Sequence, residues 1–166
     1  MVKVKYIIAT LVVVVAIILI AVYAFPSEEK KVKKQFGLLS EWVSKGPEET
    51  ILTMAQKARK VGTLFAETCR LQVSVDSIEG NYTRKEIASY AARDRARFTT
   101  LSLQFYDLDI SFPEKESAKA TLTARLTGRT TYGQDVRDIR ELECFLKKTE
   151  GAWLFSTIKV VEVLKK

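Results

Sequence analysis

TTLSLQFYDLDISF, residues 99–112, opens a series of four long segments that continues with AKATLTARLTGRTT (118–131), RDIRELECFLKK (137–148) and WLFSTIKVVEVL (153–164). Apolar residues recur at alternate positions and the joints are short and polar, which predicts consecutive antiparallel strands. In the first segment Leu101, Leu103 and Phe105 fall on one face, whereas Leu108, Ile110 and Phe112 fall by strict alternation on the other. A bulge near Tyr106 reconciles the two sets. One extra residue there shifts the phase of the pleat and curves the sheet.

Working back from this sheet, Thr83 and Glu86 form the T-x-x-E pattern that opens a helix, expected to run to about Arg97 with Ile87, Tyr90, Ala91 and Phe98 on its inner side. Asp94 falls on the same stripe. CRLQVSVD (69–76) alternates as a strand does, and Gly80-Asn81 reads as the turn after it. Further back, Phe36, Leu39 and Val43 recur at helical spacing, broadened by Leu38 and Trp42, until Gly46-Pro47 stops the helix. A second helix is expected from Pro47, with Glu48 and Glu49 at the positive end of its dipole and Ile51, Met54, Ala55, Ala58, Val61 and Phe65 as its apolar face. The whole is an α+β domain over 36–166, with about three helices packed on a curved, mostly antiparallel sheet.

The start of the chain is of another kind. A short tail (1–5) precedes twenty residues without a charge, 6–25, which include LVVVVAIILI. As a helix they span about 30 Å, the thickness of a bilayer core. A buried helix of a soluble protein would need apolar partners on every side, and so short a chain does not supply them. Residues 26–35 read as a solvated linker or the start of a helix. Val22-Tyr23-Ala24 offers small residues for cleavage before Phe25, yet the apolar run exceeds that of a cleaved signal, so a retained anchor is expected. Lys3 and Lys5 favour a cytoplasmic tail, while Lys30, Lys31, Lys33 and Lys34 pull the other way. Long domains translocate largely regardless of charge, which points to a domain outside the cytoplasmic membrane.

Composition excludes more than it selects. The chain has no histidine, so no Ser-His or Cys-His dyad and no histidine metal ligand can exist. Cys69 and Cys144 lack any zinc-type or C-x-x-C spacing, and read as two buried thiols unless an oxidising compartment pairs them. No metal or cofactor is expected. The formal charge of +7 falls to +5 once Lys3 and Lys5 are set aside, and the excess is spread out. The only tight basic cluster, at 30–34, suits anionic lipid headgroups better than a nucleic acid, and no nucleic-acid partner is expected.

The order helix-helix-strand-helix and four long strands resembles the nuclear transport factor 2-like superfamily, an α+β cone of the cystatin-like type. GNYTRKEIASYAARDRARFTTLSLQFYDLDI (80–110) looks like its strand-turn, helix and next strand. ELECFLKKTEGAWLFSTIKVVEVL (141–164) looks like its final hairpin, with a tryptophan just after the turn. The resemblance implies a bent sheet wrapped around helices, and functions that range from isomerases, dehydratases and hydrolases to dimerising interaction modules. Steroid-isomerase-like members use a tyrosine on the first helix with two pocket carboxylates, and residues 30–66 contain no tyrosine. Dehydratase-like members use histidine. Neither active site carries over, and no catalytic residue is assigned. The plan of tail, single span and exported domain is also similar to the inner-membrane scaffold of type IV secretion systems.

The acidic candidates are Asp76, Asp94, Asp107 and Asp109. A carboxylate in an apolar cone can serve as acid or base, with Tyr90 or Tyr106 donating to an oxyanion. The candidate pocket is therefore Trp42, Tyr90, Asp94 and Tyr106. The structural alternative places Asp107 and Asp109 on an outward face and pairs Asp94 with Arg93, Arg95, Arg97 or a sheet arginine. Arg137, Arg140, Glu141 and Glu143 likewise read as a salt-bridged sheet surface rather than an anion site. Two functions follow: a membrane-tethered module that binds a small apolar ligand or an envelope protein, expected to dimerise, or a small-molecule enzyme with an Asp/Tyr pocket.

Overall fold

The computed structural model describes residues 12–16, 27–73 and 78–163. The chain forms two compact units, Met1–Lys31 and Val32–Lys166. In the first, residues 12–16 are helical and four valines, Val12 to Val15, are 48 to 60% exposed. Most of the expected anchor, 6–25, lies outside the described residues. No helix among the described residues is long and apolar enough to cross a membrane.

The helices are α1 (Glu28–Val43), α2 (Ile51–Thr63) and α3 (Arg84–Ala96), and the strands β1 (Phe65–Val73), β2 (Ile78–Thr83), β3 (Phe98–Glu114), β4 (Ser117–Thr130), β5 (Asp135–Thr149) and β6 (Ala152–Val163). The strands form one sheet in the order β2-β1-β6-β5-β4-β3. Every neighbouring pair is antiparallel except β1 and β6, so the sheet is mixed. The four segments quoted above are consecutive neighbours, as the alternation predicts.

The bulge in β3 lies where the apolar pattern demands it. Tyr106 pairs with Thr123 and Asp109 with Thr121, so three steps on β3 match two on β4. Asp107 absorbs the extra residue with φ 53°, a left-handed conformation that aspartate tolerates better than most side chains. Leu103, Phe105, Leu108 and Ile110 consequently all pack against the same core. That core joins Val32, Phe36 and Leu39 of α1 to Phe155, Leu122 and Leu146 of the sheet. Phe36 makes edge contacts with Phe105 and Phe155, with centroids 5.5 and 5.0 Å away. The β5–β6 turn, Glu150-Gly151, has φ of 51° and 82°, the two positive values that a two-residue hairpin requires.

Several expectations change. Residues 28–35, read as a linker or a helix start, are the first turns of α1. The second helix starts at Ile51 rather than Pro47, because Thr50 caps it by accepting from the Thr53 N–H at 3.2 Å. Ile51 is then in its first turn and 82% exposed, Phe65 already belongs to β1, and only Ala58, Val61 and Gly62 of α2 are buried. Gly80 and Asn81 lie within β2, opposite Leu71 and Arg70, instead of at a turn. The connection falls earlier, between Val73 and Ile78, where propensity offers no glycine to mark it. The T-x-x-E pattern is a complete capping box, with Thr83 and Glu86 bonded reciprocally.

Candidate functional site

The four residues of the expected pocket lie on α1, α3 and β3. Asp94 is exposed on α3 and faces Arg93 at 3.4 Å and Arg97 at 3.8 Å. Arg95 points the other way, into the protein. Tyr90, 40% exposed, packs edge-on against Tyr82 and lies under Arg93. Tyr106, 39% exposed, has Arg125 over its ring at 4.7 Å and donates to Gln104 Oε1 at 2.7 Å. The half-buried Trp42 receives the Lys60 ammonium at 5.5 Å. Asp76 lies outside the described residues. Among the described residues, two surface concavities of about 480 and 310 Å³ are lined by none of the four.

A different pair of charges occupies the core-facing side of the sheet. Strands β4 and β5 pair without a register break from Ser117↔Lys147 to Arg129↔Asp135. Cys144 and Leu146 are buried against Ala120 and Ala118, so every even-numbered residue of β5 points toward the same side. Leu142 keeps the apolar pattern, but Arg140 and Asp138 replace it, opposite Ala124 and Leu126. The Arg140 Nε donates to Asp138 Oδ2 at 2.8 Å, and the side chains are 27 and 35% exposed. The Arg137, Arg140, Glu141 and Glu143 cluster read from the sequence is therefore split. Arg140 turns inward to Asp138, whereas Glu143 faces outward and meets Lys119 at 3.1 Å.

An aspartate held by a guanidinium, beside Leu142 and opposite Ala124 and Leu126, offers a hydrogen-bond acceptor next to a planar donor that suits carboxylates and polarised carbonyls, although this pair too lines neither of the two concavities. Sequence reasoning missed it because Asp138 and Arg140 are ordinary strand charges until the register assigns their face. The signal was available in the alternation of RDIRELECFL: continuing back from Leu146, Cys144 and Leu142 leads to Arg140 and Asp138.

The end of α1 is fastened to the edge of β3. Lys45 and Leu101 exchange backbone hydrogen bonds of 2.7 and 2.9 Å, Ser40 Oγ donates to the Leu103 carbonyl at 2.5 Å, and the Leu103 N–H donates to Ser44 Oγ at 3.0 Å. This closes part of an edge that would otherwise present free backbone groups. The connector is fixed from below by Arg95, and the helices α2 and α3 meet at Gly62, where a Cβ would come 2.7 Å from the Arg84 carbonyl. Among the described residues no group of three or more acidic or cysteine side chains is placed to hold a metal ion.

No protein-family model and no curated protein matches the chain. Solved structures do. An NTF2-like protein with a cystatin-like fold from Novosphingobium aromaticivorans aligns over 80% of this chain and 80% of its own, at TM-score 0.61 and 12% identity. The chain has the nuclear transport factor 2-like fold. Two further structures share this fold with it. A putative scytalone dehydratase from the same organism aligns over 83% of this chain and 85% of its own, at TM-score 0.65 and 14% identity. A hexachlorocyclohexane dehydrochlorinase (LinA) Type2 aligns over 83% and 88%, at TM-score 0.65 and 9% identity. At such identities the likeness establishes the nuclear transport factor 2-like architecture and leaves the chemistry to the side chains.

Proposed function

We propose that the domain acts on a small organic molecule at the core-facing side of its sheet, beside Asp138 and Arg140. The observation that carries this reading is the inward ion pair. A half-buried charge pair stabilises a fold no better than apolar residues of similar size, so its placement suits a ligand more than the core. The dehydratase and dehydrochlorinase names among the structural neighbours support small-molecule chemistry over a purely structural module. Reactions so named remove a proton and a leaving group. Asp138 would take the proton and the Arg140 guanidinium would carry charge developing on the substrate.

Tethering of this domain to the cytoplasmic membrane, with the domain on the outer side, is part of the same proposal. It is supported by the uncharged run 6–25 and by valines exposed on every side of the helical stretch 12–16. The second reading, a tethered module that binds an envelope partner without catalysis, is favoured by the missing histidine and by the surface positions of Tyr90, Asp94 and Tyr106.

Native mass spectrometry of the full chain released gently from detergent separates the two. A retained small molecule that is lost in Asp138→Asn supports the first reading. A chain that carries nothing and that copurifies with an envelope protein equally well before and after Asp138→Asn supports the second.

A further inference from the structure

We infer that one end of the domain, formed by the β3–β4 and β5–β6 turns, rests on anionic lipid headgroups. The inference rests on the tethering proposed above, and names the surface that the tether brings to the bilayer.

Helix α1 runs against β3. Ser40 and Ser44 bond Leu103, whereas Phe36, one turn earlier, meets Phe105 further along the strand. Val32, where the second unit begins, therefore lies toward the β3–β4 turn, buried in one core with Ala118, Leu146 and Trp153. The β3–β4 turn is closed by the pairing of Glu114 with Ser117, and the Lys148 N–H donates to the Glu116 carbonyl at 2.9 Å, which brings the end of β5 and its turn to β6 alongside. Both hairpins thus end beside the point at which the chain enters the domain.

The side chains there suit a headgroup layer. Lys33 and Lys34 on α1, Lys115 in the first turn and Lys147 before the second are exposed and Lys148 is half-buried, against the exposed Glu114, Glu116 and Glu150. All the bases are lysines, whose long stems let the ammonium groups reach lipid phosphates. Phe112, 41% exposed, is held at the rim by its packing on Trp153 at 5.7 Å, and the exposed Pro113 follows it, so an apolar edge stands beside the lysines as it does in surfaces that settle into the headgroup boundary. The turn between β4 and β5 at the opposite end, residues 131–134, carries no charge.

An acidic protein would suit the same lysines, but the covalent connection favours lipid. Only six residues, 26–31, separate the uncharged run from Val32, and fully extended they cover about 20 Å. Whatever path they take, this end stays near the headgroups, while the 131–134 turn lies a further strand away, the 14 residues of β4 spanning about 45 Å. Five lysines against three glutamates attract too weakly to hold the chain at a membrane without the span. They orient a domain that is already tethered.

The test is hydrogen exchange, read by mass, on the full chain in nanodiscs of phosphatidylcholine alone and of phosphatidylcholine and phosphatidylglycerol in equal parts. Peptides covering 112–118 and 147–153 are expected to exchange about fivefold more slowly in the anionic discs at low salt, with the difference lost at high salt, and peptides covering 130–135 to exchange equally in both. Lys115→Glu/Lys147→Glu is expected to remove the difference. Equal exchange of the two turns in the two lipids overturns the inference, as does a slowing that the double variant keeps or that residues 130–135 share. A chain that enters neither kind of disc overturns the tethering itself, and this inference with it. The comparison of lipids on the unmodified chain decides even where the variant does not fold.

Discussion

Arg95, only 1% exposed, reaches from α3 to the Glu49 carboxylate in the connector before α2, and donates as well to the carbonyls of Ser44 at 3.2 Å and Met54 at 3.3 Å. Glu49 is also met by Lys57 at 2.9 Å. One guanidinium thus ties α3 to the stretch from Ser44 to Met54, which lies more than 40 residues earlier in the chain. Arg95→Met is expected to cost about 3 kcal/mol, the lower part of the range for breaking a buried pair, because Lys57 still partners the carboxylate. Asp94→Asn, next to it but in solvent, is expected to cost no more than about 0.5 kcal/mol. Urea unfolding followed by tryptophan fluorescence measures both; equal losses would show that the buried network does not hold the connector.

Cys69 and Cys144 are free thiols on β1 and β5, and β6 runs between those strands. Two strand spacings separate them by roughly 10 Å, beyond the reach of a disulfide. Burial pushes both thiols up to about 12, with a smaller contribution at Cys144 from the neighbouring Cys69 and Glu143. Neither is expected to react with a thiol reagent at pH 8 until denaturant is added, and then both should react. Rapid labelling of the native chain, read by mass, would contradict this packing.

At the start of α3 the Thr83 backbone N–H, and then its hydroxyl, bond the Glu86 carboxylate and hold its pKa below the usual carboxylate range. A lowered folded pKa means that the unfolded chain takes up the proton first as pH falls. The contribution of Glu86 is therefore fully present above its unfolded pKa of about 4.3 and is lost as pH drops through the lower folded value. The stability gap between the parent and Glu86→Gln should narrow below about pH 4. Thr83→Ala should cost about 1 kcal/mol at neutral pH. A gap that is unchanged from pH 7 to pH 3 would count against the capping box as the source.

Replacing the inward ion pair by apolar residues, Asp138→Leu/Arg140→Leu, is expected to leave stability unchanged or raise it by about 1 kcal/mol, while abolishing any ligand retention. Removing only Arg140 should cost more than removing both, since a half-buried carboxylate then loses its guanidinium. Thermal unfolding of the three variants orders them. If the double variant is the least stable, the pair is structural.

Deleting residues 1–26 is expected to move the chain from the membrane fraction to the soluble fraction, and a reporter fused after Lys166 is expected to be active only outside the cytoplasmic membrane. Retention of the shortened chain in membranes would transfer the anchoring role to Lys30, Lys33 and Lys34 or to the domain.

Local rules were sufficient wherever one residue's neighbours in the chain decide its state. The alternation in 99–164 determined four consecutive antiparallel strands, and the broken alternation around Tyr106 determined the bulge that Asp107 forms. Thr83 and Glu86 determined a helix start, because a capping box is closed within four residues. Tertiary structure alone decided which way charges point once several strands are aligned. Arg95 and Asp94 are adjacent on one helix, yet one is buried and the other solvated, because only Arg95 faces the Glu49 carboxylate and the carbonyls of Ser44 and Met54. Asp138 and Arg140 became an inward pair, and Arg137 and Glu141 outward charges, through the pairing of β5 with β4. A one-residue slip in that register would exchange the two sets, and the burial of Cys144 and Leu146 against β4 is what forbids it.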